Sequence, residues 1–251
     1  MTTMWRRGPV DGITVGGETI IVHTPTRARL RARGGRLQRA EGYASAPPAA
    51  RRELARVGAM VQLRERGRFH LHAAGIVAPD GRAWILAGDS GSGKSTLAYA
   101  AARTGWPLLG DDGVVIERVP EGVRAHAWRE PVQLSIELAE AFPELRAHAA
   151  HVNWSDPRHR APVPATFVRY APVAGVVFVR RGERDALAPV APTAALARLV
   201  RQSPMVLIGD ERAADHLAAL QALAGAVPAF ELEHTSAQLH RITRTIAGAC
   251  A

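Results

Sequence analysis

Ile85-Leu86-Ala87-Gly88-Asp89-Ser90-Gly91-Ser92-Gly93-Lys94-Ser95 is a short apolar run followed by a glycine-rich turn that ends on Lys-Ser, and it decides how the rest of the chain is read. Glycines at this spacing let the backbone wrap until consecutive N–H groups face one anion. The helix expected after the turn adds the positive end of its dipole. Lys94 is then placed to reach the β- and γ-phosphates of a nucleotide, and the Ser95 hydroxyl to take a Mg²⁺ position. Gly88, Asp89, Ser90, Gly91, Ser92, Gly93, Lys94, Ser95 and Thr96 are therefore the expected nucleotide-binding residues, with ATP and Mg²⁺ as cofactors. The bare pattern arises by chance in about one chain of this length per hundred. A strand before it and a helix after it make the bland reading, a turn that merely caps a helix, rarer still.

Composition sharpens the motif. Of 32 basic residues only Lys94 is a lysine, which leaves 31 arginines and a formal net charge of +9. Where charge alone matters, arginine has replaced lysine throughout. The one survivor stands where a compact ammonium on a thin stem must enter a narrow cradle that a planar guanidinium does not fit. The single cysteine, Cys250, excludes an intramolecular disulfide and a cysteine metal cluster. No signal-like h-region follows Arg6-Arg7, and no run of about 18 apolar residues occurs, so a soluble cytoplasmic protein with no membrane partner is expected. The arginine-rich stretches 27–39 and 51–68 lack interleaved aromatics, which make up only 5% of the chain. That favours a solvated basic face and no nucleic-acid partner. A homo-oligomer is compatible with all of this.

Outward from the motif, residues 1–48 read as a small β-rich lobe and 49–251 as the catalytic domain. Thr19-Ile20-Ile21-Val22 is β-branched, and 27–33 alternates arginine with small or apolar residues. Ala44 to Pro48 reads as a hinge before a helix whose apolar face is Leu54, Val57, Met60 and Val61, with Leu63 as an extension. Phe69 to Val77 reads as one strand, Pro79-Asp80-Gly81 as a turn and Ala83 to Ala87 as the second arm of a hairpin. Further on, the pattern predicts strands at 107–110, 114–119, 173–179 and 229–232. It predicts helices at 95–103, 135–148, 193–202, 212–224 and 236–248.

Three other groups carry chemistry. Asp111-Asp112 lies seventeen residues after Lys94, at the end of a short strand expected to return beside the strand that enters the glycine-rich turn. Two adjacent carboxylates there can divide metal support from proton acceptance; alone, Asp-Asp-Gly is also an ordinary turn. His72 lies on the neighbouring arm of the hairpin, placed to orient an aspartate, though a strand histidine is commonly a satisfied core residue. His70 shares its face by period-two alternation, and the pattern does not separate the two. Arg158-His159-Arg160, in the loop beginning Asn153-Trp154-Ser155-Asp156, is a compact cationic loop able to clamp a phosphoryl group or an acidic substrate, or else to stay solvated; Arg160 is the expected contact. Met205 to Glu211 imitates an ATPase Asp-Glu strand. Pro204 and Gly209 break it, and Asp210 reads better as a helix N-cap.

The run His72-Ala73-Ala74-Gly75-Ile76-Val77, then Ile85 to Ser95, then Leu108-Leu109-Gly110-Asp111-Asp112 resembles the catalytic domain of HPr kinase/phosphorylase, over about residues 69–119. The resemblance implies an α/β fold with a P-loop kinase core of the HPr kinase and phosphoenolpyruvate carboxykinase type. It implies an ATP-dependent serine kinase acting on a peptide or protein. In that likeness Asp111 is the general base, Asp112 supports Mg²⁺ and His72 assists. The chain departs from the family pattern in lacking its later acidic-Ile-Arg-Gly signature, its arginine-bearing loop and its long N-terminal regulatory domain. Short divergent chains of this kind resemble enzymes that phosphorylate the C-terminal serine of lasso-peptide precursors. The alternatives are a small-molecule kinase of the shikimate or gluconate type, in which the P-loop usually follows the first strand, and a non-kinase P-loop ATPase.

Overall fold

The structure is a computed structural model that describes residues 2–128, 132–150, 160–164, 166–208 and 212–235. The described residues divide into two compact units. The first comprises Met1–His70 with Ser203–Ala219, and the second Leu71–Gln202 with the residues from Leu220 onward.

In the first unit, β1 (Thr2–Arg7), β2 (Val10–Val15), β3 (Glu18–His23), β4 (Arg29–Arg33) and β5 (Arg36–Arg39) form an antiparallel sheet in chain order. Each connection is a short turn, which is what lets sequential strands pair as hairpins. Side chains alternate across the sheet: Ile21, Leu30 and Ala32 are buried on the face that α1 (Pro48–Glu65) covers, while Arg31 and Arg33 are exposed. The helix presents Leu54, Val57, Met60 and Val61 to this sheet, as its period predicts, and Leu63 is half-buried. Burial of each such side chain stabilises the unit by about 1.5–3 kcal/mol. With that packing, the first compact unit runs as far as His70. Pro204–Leu207 is a single 3₁₀ turn and not a strand.

β6 (Arg68–Leu71) carries the chain from one unit to the next, and the strand expected over 69–77 breaks there. The chain bends at His72 before resuming as β7 (Ala73–Val77). The hairpin partner β8 (Ala83–Ala87) is buried at all five residues, so its unbroken apolar run fits a strand covered on both faces. A ten-residue helix follows the glycine-rich turn as α2 (Lys94–Arg103), and after it come β9 (Leu108–Gly110), β10 (Val114–Val119) and β11 (Gly122–Ala127). The helix expected over 135–148 is two: α3 (Ile136–Ala141) and α4 (Pro143–Ala149). Phe142 is extended, at φ −128° and ψ 108°, because the ring of Pro143 disfavours a helical residue before it. Ser135 caps α3 by accepting from Leu138 N–H at 3.1 Å.

The remaining elements are β12 (Tyr170–Arg181), β13 (Ala186–Val190), α5 (Pro192–Arg201), α6 (Ala213–Ala226) and β14 (Ala229–His234). β11 and β13 had no clear signal in sequence. The helix expected over 236–248, the Asn153–His159 part of the cationic loop, Asp210 and Cys250 lie outside the described residues.

The mixed sheet of the second unit runs β10-β11-β12-β8-β7-β9, with β14 beside β12 and β13 beside β14. β8 therefore lies between antiparallel β7 and parallel β12. β9 pairs with β7, so the strand that delivers Asp111-Asp112 lies one position out from β8 and not beside it as expected. α2 is buried along nearly its whole length, in one core with Trp84, Leu108, Leu138, Phe142 and Val177.

Candidate functional site

Gly88 to Gly93 join the buried end of β8 to the first turn of α2, and Gly93, at φ 103°, is left-handed immediately before the helix. An L side chain is strained there, and a Cβ would also meet the ring of His234 at 2.5 Å. The wrap is closed by Ser92 N–H donating to Asp89 O at 3.2 Å. Lys94 is only 7% exposed and turns back over the loop, donating from Nζ to Gly88 O at 2.7 Å and Asp89 O at 3.0 Å. Burial lowers its pKa, against the opposing pull of Asp112, Asp111 and Asp89. Asp89, Ser90 and Gly91 are exposed at the rim, Ser95 is half-buried, and Ser92 and Thr96 are buried.

Both carboxylates of the Asp-Asp pair lie at this loop, in different surroundings. Asp111 is 2% exposed, and its Oδ2 accepts from Gln133 N–H at 3.1 Å. Burial pushes its pKa up. The Gln133 N–H, the Ser95 hydroxyl and Lys94 work the other way, while Asp112 adds to the rise. Asp112 is about 40% exposed, and its Oδ1 lies 3.1 Å from Nδ1 of His72. The bend at His72 releases that residue from the strand's alternation, leaving it 30% exposed beside Asp112, whereas His70 is buried at 2%. The ambiguity between the two histidines is thus resolved by the bend, and the aspartate that His72 meets is Asp112.

Gly110 sets up the pair. A Cβ there would collide with the carbonyl oxygens of Gly113 and Trp128, so only glycine lets the chain pass so close to its own backbone just before Asp111. Arg160 also comes to this region. Its backbone bridges antiparallel to Gln133, the residue whose N–H holds Asp111, and it is exposed.

No protein-family model matches this chain, and no curated protein does. Among solved structures it is similar to the Hpr(Ser) kinase/phosphatase from Coxiella burnetii. The match covers 72% of this chain and 94% of that chain, at 10% sequence identity and a TM-score of 0.38.

Sequence reasoning missed three residues of this site. Gln133 supplies the backbone donor to Asp111. Gln202, 8% exposed at the end of α5, donates from Nε2 to Asp89 Oδ1 at 3.2 Å while its carbonyl accepts from His72 N–H at 2.9 Å. His234, at the end of β14, lies against the loop at Ser92 and Gly93. None has a local signal, since each reaches the site from more than twenty residues away in sequence.

The residues fit a phosphate chain with a divalent cation. Two buried oxygens, Ser92 Oγ and Asp111 Oδ1, have no hydrogen-bond partner among the described residues, and an unsatisfied acceptor at such depth costs about 1–3 kcal/mol. A carboxylate oxygen next to the hydroxyl of Ser95 is also the hard donor that Mg²⁺ takes.

Proposed function

We propose that the chain is an ATP-dependent phosphotransferase that phosphorylates a serine hydroxyl of a peptide or protein. The observation that carries this reading is the convergence on one P-loop of two unlike carboxylates: Asp111, buried beside Ser95 and Lys94, and Asp112, accessible and paired with His72. A solvent-accessible carboxylate held by an imidazole suits removal of a proton from an incoming hydroxyl.

The backbone N–H groups of Gly88 to Gly93 and Lys94 would hold the phosphates, and Ser95 with Asp111 would hold Mg²⁺. The nucleotide supplies the transferable γ-phosphoryl group, and the metal neutralises charge on it. Asp112 accepts the proton of the acceptor hydroxyl, and His72 fixes the orientation of that carboxylate through Nδ1. Arg160, whose backbone bridges to Gln133, would meet an acidic acceptor or the charge developing on it. This division of labour exchanges the two roles expected from resemblance, because His72 lies against Asp112 and Ser95 acts on Asp111. The narrower acceptor, a precursor peptide's C-terminal serine, keeps the same chemistry.

The test is calorimetric titration of Mg·ATP into the wild type and Lys94→Ala, followed by transfer of γ-³²P label to synthetic peptides with an internal or C-terminal serine. Binding by the wild type alone, with label on serine peptides and not on their alanine counterparts, is expected. Failure of the wild type to bind Mg·ATP would overturn the reading. Label appearing only on small-molecule alcohols would replace the peptide acceptor.

A further inference from the structure

His234 is the last residue of β14, opposite Arg181 of β12, and its surroundings fix it on both sides. Its carbonyl accepts from Gly182 N–H at 3.1 Å. The next residue, Thr235, donates from its backbone N–H and its hydroxyl to Asp185 Oδ1 at 2.8 Å and 3.2 Å. The ring is 5% exposed. Its Nε2 lies 2.9 Å from the carbonyl oxygen of Ser92, and Nδ1 makes a longer approach of 3.3 Å to Thr235 O.

A carbonyl oxygen only accepts, so the shorter contact requires a proton on Nε2. The consequence for the loop follows from peptide planarity. In a trans peptide the C=O and the N–H of the next residue point to opposite sides of the chain. With Ser92 O bound to His234, Gly93 N–H is turned away from the ring. Gly93 occupies the left-handed conformation in which the peptide on its N-terminal side is otherwise free to flip, because a glycine opposes such rotation less than any other residue. The ring fills the space that a Cβ on Gly93 would take, so the glycine and the histidine fit each other.

We propose that His234 is a positioning residue for phosphate binding: its Nε2–H holds the Ser92–Gly93 peptide in the one orientation that leaves Gly93 N–H available to an anionic oxygen. This rests on the reading of the loop as a nucleotide site and adds to it a residue from β14, two strands from β8 in the second unit's sheet. The loop glycines make the wrap possible, and His234 selects among the conformations they allow.

The experiment compares wild type, His234→Leu, His234→Gln and Lys94→Ala for binding of Mg·ADP and inorganic pyrophosphate, with thermal melting of each. His234→Leu should bind both probes about 3- to 10-fold more weakly, the range for one hydrogen bond. His234→Gln, which keeps a donor at similar reach, should recover most of that loss. A purely structural role would move the melting temperature without this rescue. Binding by His234→Leu within twofold of wild type, or a glutamine variant as weak as the leucine one, would overturn the assignment while leaving the nucleotide site intact. If wild type and Lys94→Ala alike bind neither probe, the nucleotide reading falls and this one with it. A measurement on wild type needs no variant: ¹⁵N spectra of the imidazole should show His234 protonated at Nε2, and the Gly93 amide resonance should move when pyrophosphate is added. A ring without a proton on Nε2 refutes the proposal.

Discussion

Asp111→Asn is expected to raise the melting temperature of the unliganded protein and to weaken its use of Mg²⁺. The carboxylate is 2% exposed; among the described residues Gln133 N–H is its one backbone donor and Oδ1 has no hydrogen-bond partner. Asparagine keeps an oxygen for Gln133 N–H and removes the buried charge. The gain should be about 1–3 kcal/mol, because a buried amide costs far less to desolvate than a buried carboxylate. For a chain of this size that corresponds to about 2–12 °C. The pH dependence gives the stronger check. Burial raises the folded-state pKa of Asp111 above its ordinary value of 3.8, so between the two values the native state binds more protons than the unfolded state. Wild-type stability therefore falls as pH rises through that window. The advantage of the variant should be complete above the window and fade as pH falls through the folded-state pKa towards 3.8. Calorimetric melting of both proteins at about pH 8, with successive steps down to about pH 4, reads this directly. A variant that melts lower than wild type at the alkaline end, or an advantage that does not change with pH, would refute the argument from burial.

Other substitutions probe the remaining parts. Lys94→Ala should abolish Mg·ATP binding with an unchanged circular dichroism spectrum, since Nζ is the only lysine charge the chain offers to phosphate. Asp112→Asn should reduce single-turnover transfer by about 10²- to 10⁴-fold with little change in Mg²⁺ affinity. His72→Asn should follow it at a nearly constant melting temperature; the reverse pattern, with Asp111→Asn losing transfer and Asp112→Asn losing metal, would restore the roles implied by resemblance. Gly110→Ala should cost about 1–3 kcal/mol of stability and displace both aspartates, because the new methyl meets two backbone carbonyls. Transfer that survives Gly110→Ala intact would mean that Asp111 and Asp112 tolerate displacement.

Those parts of the site encoded by neighbouring residues are legible in the sequence itself. Backbone wrapping at Gly88 to Gly93, the lone lysine at its end and the helix beginning at Lys94 follow from local steric freedom and local dipoles, so eight residues suffice to specify them. The apolar face of α1 and the hairpin of β7 and β8 follow from period and turn chemistry in the same way. Whatever depended on which strand lies beside which was decided only by the tertiary structure. Alternation put His70 and His72 on one face, and it took the bend between β6 and β7 to bury one and bring the other to Asp112. Spacing alone leaves the two aspartates with equal standing. Packing separated them, because burial raises the pKa of one while the other stays accessible, and burial is a property of the whole fold. Gln133, Gln202 and His234 were invisible for a related reason: a glutamine or histidine at the end of an ordinary element has no local mark. Its meaning arises only when the sheet brings it to the loop, and for His234 that contact spans 142 residues of chain.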